Sequence, residues 1–218
     1  MDRKIKLRER KLREQEQKAD DILKAARKVF LKKGFFKTTM DEIAYEVALS
    51  KPTIYKFFPT KESLYFSLVI PILQKWLDDF GEIHVQLQLN MFNSGETFLR
   101  EMMNVFFKYY RDNPDLFRIG QLFQQSGKLF SLDSKTDHTI RDMSRAVISE
   151  MRSLYDSAAK QGLVLDIDCY TFAEVLMGSI FGITQLHDAR KGERKNEHHL
   201  EAVVDAAVKM FARSVVLK

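Results

Sequence analysis

The chain has 218 residues, of which 45% are hydrophobic and 30% charged, and a formal net charge of +5. This composition is typical of a soluble globular protein with ample material for a core. The most apolar stretches, such as residues 175–183, are far shorter than the roughly 20 residues of a bilayer span. The charged first 18 residues lack the apolar centre of a secretory signal, and the one cysteine, Cys169, allows no internal disulfide. We therefore expect a cytoplasmic protein.

The positive charge is concentrated near the N-terminus. Residues 1–80 contain 18 Lys and Arg against 12 Asp and Glu, whereas residues 81–218 contain 17 against 18. This asymmetry favours a polyanion-binding segment attached to a nearly neutral body. A basic N-terminus that only keeps the protein soluble remains the alternative.

Three short helices are predicted between residues 20 and 58. The first has apolar residues at helical spacing from Ile22 to Phe30 and stops at Gly34. The second starts at Thr39, with Glu42 three residues later in the capping-box pattern. The third is capped by Ser50, has Pro52 in its first turn and stops before Pro59. Packed together, these helices share a small core and form a helix-turn-helix unit; the expected core residues are Val29, Phe30, Ile43, Val47, Ile54 and Phe58.

Longer helices follow. One is capped by Thr60 and runs towards Phe80, with a bend or break at Pro71. Others are predicted near residues 96–112, 114–126, 136–161, 168–188 and 197–216. The fold class is therefore all-α, with an N-terminal helix-turn-helix domain and a larger helical domain behind it. The expected boundaries are a mobile arm or helical extension over 1–18, a DNA-binding domain over 19–66 and a second domain over 67–218.

The helix that begins after Ser50 carries the most informative side chains. Ile54 and Phe58 are four residues apart and point together into the core, which leaves Lys51, Thr53, Tyr55 and Lys56 outside. A short protruding helix with basic and hydroxyl groups suits the DNA major groove, because these groups bind phosphates and reach base edges. Taken singly, each could instead be a solubilising or half-buried side chain.

Residues 34–64, GFFKTTMDEIAYEVALSKPTIYKFFPTKESL, resemble the DNA-binding signature of the TetR family of transcriptional regulators. By that resemblance, Thr39, Tyr55 and Lys61 would bind phosphates. Lys51, Thr53 and Lys56 would face the groove. The chain departs from the family pattern in the turn and on the third helix: Ala48 replaces a usual glycine, Pro52 a frequent glycine or alanine, and Phe57 a common histidine or tyrosine.

The resemblance also implies that the second domain holds a small-molecule pocket and a dimer surface. Aromatic and methionine side chains suit a small apolar effector, although ordinary core packing explains them as well; the candidates are Met102, Phe106, Tyr110, Phe117 and Phe123. The helices near 168–188 and 197–216 are expected to pair with those of a second copy in a four-helix bundle.

The leading hypothesis is a ligand-responsive regulator that acts as a repressor and binds a palindromic double-stranded operator as a homodimer. A DNA-binding protein of chromosome organisation or division without ligand control is the alternative. We expect no enzyme activity, since no phosphate loop, nucleophile elbow or metal-ligand motif occurs, and no cofactor. His187, His198 and His199 fit no tight metal-ligand spacing. Membrane binding by the basic arm is disfavoured, because Leu7 and Leu12 give it little apolar surface.

Overall fold

The structure is a computed structural model that describes residues 2–126, 132–190 and 197–216. Every regular element in these ranges is a helix, so the all-α class is confirmed. The helices are α1 Asp2–Lys33, α2 Met40–Glu46, α3 Lys51–Phe57, α4 Lys61–Ser67, α5 Ile70–Gln88, α6 Gly95–Asp112, α7 Pro114–Ser126, α8 Ser134–Lys160, α9 Cys169–Ala189 and α10 Glu197–Val215.

Two predicted helices have different bounds in the structure. The first begins at Asp2 rather than near Asp20, so residues 2–18 are a helical extension and not a separate arm. The helix expected from Thr60 towards Phe80 is two helices, α4 and α5, separated at Leu68–Val69. Pro71 is the second residue of α5, where its missing N–H costs no hydrogen bond.

The chain divides into two compact units. Unit 1 comprises Met1–Ile70 and Arg118–Ile140, and unit 2 comprises Pro71–Phe117 and Arg141–Lys218. The domain boundaries expected from the sequence stay a prediction.

In unit 1 the core lies among the three short helices and α4. Five of the six expected core residues are buried, and Val47 is half-buried. Ile54 is fully buried, which contributes about 1.5–3 kcal/mol for a side chain of this size. Phe66 of α4 extends the core, and its ring centroid lies 5.5 Å from that of Phe123 in an edge contact.

In unit 2, aromatic side chains from several helices form the core. The Trp76 ring of α5 meets the ring of Phe106 at 4.8 Å between centroids. Tyr155 of α8 packs on Phe172 of α9 at 4.0 Å. Gly95 begins α6 where a Cβ would lie 2.1 Å from the carbonyl oxygen of Leu163, so only glycine fits there.

The turn between α2 and α3 contains a non-glycine residue in the left-handed conformation. Ala48 has φ 53° and follows the last turn of α2. Its N–H donates to the carbonyl of Tyr45 at 3.2 Å, and the N–H of Leu49 donates to that of Ala44 at 3.0 Å. These two bonds form a Schellman motif, whose left-handed position is usually glycine. The turn therefore accepts a Cβ at some conformational cost.

We expect Ala48→Gly to raise the free energy of unfolding by up to ~1 kcal/mol. The left-handed conformation costs a residue with a Cβ about 1–2 kcal/mol, and the greater freedom of glycine in the unfolded chain cancels part of the gain. Urea denaturation followed by circular dichroism measures the difference. Ala19→Gly, inside α1, is the matched control and should lower stability by about 0.5–1 kcal/mol. An equal loss in both variants would contradict strain at Ala48.

Candidate nucleic-acid interface

Helix α2 is fixed by a capping box and by two ion pairs to α1. The Glu42 N–H donates to the Thr39 hydroxyl at 3.3 Å, and the Thr39 N–H donates to the Glu42 carboxylate at 3.0 Å. This confirms the predicted cap. Lys33 pairs with the same carboxylate and holds the pKa of Glu42 below its usual value. Lys28 reaches Glu46 at 2.6 Å, so α2 is held on α1 at both ends.

Helix α3 begins as predicted, although its cap differs in detail. Ser50 occupies the N-cap position, but its side chain accepts no backbone N–H there. Its hydroxyl instead shares a 2.7 Å hydrogen bond with the hydroxyl of Thr53. Pro52 supplies the fixed backbone angle of the first turn.

The outward side chains of α3 present two lysines and two hydroxyl groups. Lys56 is exposed, Tyr55 retains 40% of its accessible surface, and Thr53 is half-buried. Helix α3 contains no acidic residue, so this face attracts anions. Phe57 is half-buried beside the buried Phe58.

Lys51 forms an ion pair with Asp41, a residue for which the sequence gave no functional signal. Its ammonium group lies 2.8 Å from the Asp41 carboxylate on α2. The hydrogen bond that Lys51 donates to this carboxylate raises the pKa of Lys51, which stays charged. The separation of ten residues gave no helical-spacing signal for this pair, because it crosses the turn.

Lys61 is positioned by the loop between α1 and α2. Its ammonium group donates to the carbonyl oxygens of Phe35 at 3.1 Å and Thr38 at 3.2 Å. It also lies 4.4 Å from the centre of the Phe35 ring. Lys61 therefore joins the start of α4 to this loop, a structural role that the sequence analysis missed. Its contact with phosphate stays a prediction.

The candidate pocket residues occur in both units. Met102, Phe106, Tyr110 and Phe117 are buried in unit 2, whereas Phe123 belongs to unit 1. The Tyr110 hydroxyl donates to the Asp188 carboxylate at 2.6 Å and lies 2.9 Å from Nδ1 of His187. No sequence signal indicated Trp76, whose ring lies 5.8 Å from that of Phe117. Its buried N–H has no hydrogen-bond partner among the residues that the structure describes.

The described residues include neither a candidate metal cluster nor a bilayer-spanning helix. Over 2–126, 132–190 and 197–216, no group of three or more His, Cys, Asp or Glu side chains is arranged to hold a metal ion. The His198 side chain lies outside the described residues. Within the same ranges, no helix has the length and apolarity needed to cross a bilayer.

Helices α9 and α10 leave an apolar groove uncovered. It encloses about 550 Å³ and is lined mainly by apolar side chains of both helices, among them Val175, Ile183, Ala207, Met210 and Phe211. Val175 is 52% exposed and Met210 68% exposed.

The fold and the exposed face of α3 define a helix-turn-helix DNA-binding protein. Residues 22–68 match the model of the bacterial regulatory proteins of the tetR family. The chain therefore carries a TetR-family DNA-binding domain, and the resemblance seen in the sequence is confirmed.

Relatives extend this similarity beyond the matched domain. The transcriptional repressor NicS of Pseudomonas putida is 27% identical over 161 residues, covering 74% of this chain and 72% of NicS. The transcriptional regulator RutR of Escherichia coli K12 is 26% identical over 67% of this chain, and the match spans 64% of RutR, less than two thirds of its length. A TetR/AcrR regulator from Thermobifida fusca has a TM-score of 0.68 at 23% identity, covering 89% of this chain and 96% of that one.

We expect Lys61→Met to lower the free energy of unfolding by about 1–2 kcal/mol, since two backbone carbonyls lose a charged donor. Lys56→Met, on the exposed face of α3, is the matched control and should change stability by less than ~0.5 kcal/mol. Urea denaturation measures both. Unchanged stability of Lys61→Met, together with weaker DNA binding, would show that Lys61 acts on phosphate alone.

Proposed function

We propose that the chain is a ligand-responsive transcriptional repressor that binds a palindromic operator as a homodimer in the cytoplasm. The observation that carries this proposal is the outer face of α3, where cationic and hydroxyl side chains lie opposite the buried Ile54. Such a helix docks in the major groove, where base edges distinguish all four base pairs.

The side chains of the proposed interface have two roles: some position the protein on the DNA backbone, and others read the base sequence. Tyr55 binds phosphate through its exposed hydroxyl, and Thr39 and Lys61 bind the backbone beside it. Lys56 and Thr53 extend towards base edges. Lys51 joins them with its ammonium group oriented by Asp41. Phosphate contacts fix the register of the protein, and base contacts select the sequence.

A second copy of the chain is the proposed occupant of the groove on α9 and α10. Its apolar lining and the exposure of Val175 and Met210 are unusual for a surface that meets only water. Two such helix pairs form a four-helix bundle around a two-fold axis. The axis presents two α3 helices to half-sites about one turn of DNA apart.

The name of one relative and the core of unit 2 support repression and its release by a ligand. NicS is named as a repressor. The buried aromatic cluster around Trp76 has an unpaired indole N–H, which suits an apolar effector with one hydrogen-bond acceptor. Such a molecule releases the operator only if it binds the DNA-free conformation more tightly than the DNA-bound one.

Selection of binding sites from a randomised DNA duplex pool tests the roles on α3. The wild-type protein should enrich a palindrome. Lys56→Gln should lose the preference at one position of each half-site and cost about 1–3 kcal/mol there. Tyr55→Phe should enrich the same sequence and bind it about 30-fold more weakly, through the loss of about 1 kcal/mol at each of the two phosphate contacts of the dimer. An unchanged preference in Lys56→Gln would remove that residue from base reading, and no enrichment by the wild type would refute the proposal.

The dimer surface is tested by Val175→Glu combined with Met210→Glu. Burying unpaired carboxylates in both copies should weaken self-association about 100-fold or more. Sedimentation equilibrium measures the oligomeric state. Val85→Glu, on α5 and 54% exposed, is the control and should leave the dimer intact. A double variant that remains dimeric would place the interface elsewhere.

A further inference from the structure

The first part of α1 extends beyond the core of unit 1. Ile5 to Lys18 are all exposed, and Ile22 is the first fully buried residue of the helix. At 1.5 Å per residue, these 14 positions span about 20 Å of helix with no core side chains. An isolated helix of this length is marginally stable in water. Contact with a partner molecule would therefore stabilise this segment.

One face of this segment is basic and continues the buried face of α1. Arg8, Lys11, Gln15 and Lys18, here called the basic stripe, follow one another at spacings of three and four. The same spacing leads on to Ile22, Ala25 and Val29, which are 0%, 8% and 9% exposed. Residues at this spacing share one side of a helix. The side of α1 that packs on the domain therefore becomes cationic where the domain ends.

The carboxylates of the segment lie off this face. Glu9, Glu14 and Glu16 are displaced from the middle of the stripe by about 80° or more, at 100° per residue. Two of them pair with arginines that also lie off the stripe. Arg10 contacts Glu14 at 2.8 Å, and Arg13 contacts Glu9 at 3.9 Å. Glu14, three residues after Lys11 and four before Lys18, borders the stripe, but its carboxylate pairs with Arg10. The stripe itself carries three cations and no carboxylate.

The ion pairs between α1 and α2 show where the stripe lies relative to α3. Lys28 pairs with Glu46, and Lys33, further along α1, pairs with Glu42, earlier on α2. The two helices therefore run in opposite senses at this contact. The part of α1 before Lys28 extends past the end of α2, which is the end where the turn to α3 begins.

We propose that the basic stripe is a second DNA-binding surface, which contacts phosphates outside the base pairs that α3 reads. The proposal rests on the proposed function, because it requires α3 to be docked on DNA. A phosphate backbone matches a linear row of cations without apolar groups. A membrane does not, since the exposed apolar residues form no continuous apolar face: Ile5 and Leu12 are seven residues apart on one side of the helix, and Leu7 lies on another.

The contribution of the stripe is independent of sequence. Arginine and lysine contacts with phosphate release bound counter-ions, so each contact adds about 0.9 to the salt dependence of DNA binding. The stripe therefore increases affinity for any duplex long enough to reach it, and leaves sequence preference to α3.

Two triple variants of the full chain distinguish the effect of the stripe on DNA binding from the effect of total charge. The stripe variant is Arg8→Gln, Lys11→Gln and Lys18→Gln. The control variant removes the same charge from other faces of the same segment, by Lys6→Gln, Arg10→Gln and Arg13→Gln. Binding to a mixed-sequence duplex of ~40 base pairs is measured across a range of salt concentrations, and circular dichroism verifies that both variants keep their helix content.

In the stripe variant, the slope of log affinity against log salt should fall by about 2–3 per protomer. In the control variant it should fall by less than ~1. Equal slopes in the two variants would overturn the proposal, as would loss of binding to anionic phospholipid vesicles by the stripe variant with its DNA slope unchanged. A wild-type protein that binds no duplex refutes the proposed function itself. A wild type that binds, with an unaffected stripe variant, refutes only the stripe.

Discussion

The DNA-binding unit depends on the burial of one side of a seven-residue helix. A helix of this length does not persist alone in water, so α3 exists because Ile54 and Phe58 are buried against its neighbours. The same burial orients the opposite side, since a helix fixed on one face has no rotational freedom left. The packing of Ile54 and Phe58 in the core therefore also fixes the orientation of Tyr55 and Lys56 on the exposed side. A change that loosens Ile54 also misaligns the exposed side chains of Tyr55 and Lys56.

Much of unit 1 could be predicted from its sequence because its signals are local. The capping box of Thr39 and Glu42, the stop at Gly34 and the position of Pro52 each act within a few residues of where they are read. The expected core followed from spacing, since positions three and four apart share a helix face. The helix bounds after residue 94 agreed closely for the same reason.

The structural features that the sequence did not indicate depend mainly on contacts between residues far apart in the chain. Lys61 looked like a surface cation, yet its ammonium group binds carbonyls 23 and 26 residues earlier in the chain. Asp41 reaches Lys51 across a turn, where no periodic pattern relates the two. The sequence left residues 1–18 open as an arm or a helical extension, because their apolar residues are few and hydrophobic periodicity gives little signal for a helical segment with exposed side chains.

If α3 docks on DNA as proposed, the ion pair between Asp41 and Lys51 changes how that lysine meets DNA. A free lysine is attracted equally to every phosphate, and so adds to binding on all sequences alike. Lys51 instead arrives with a carboxylate already at 2.8 Å, which neutralises most of its long-range attraction. It gains from DNA only where an acceptor is placed well enough to compete with, or share, the bond to Asp41. In the proposed interface, the carboxylate beside Lys51 thus reduces binding that is independent of sequence and leaves the lysine sensitive to which base lies opposite.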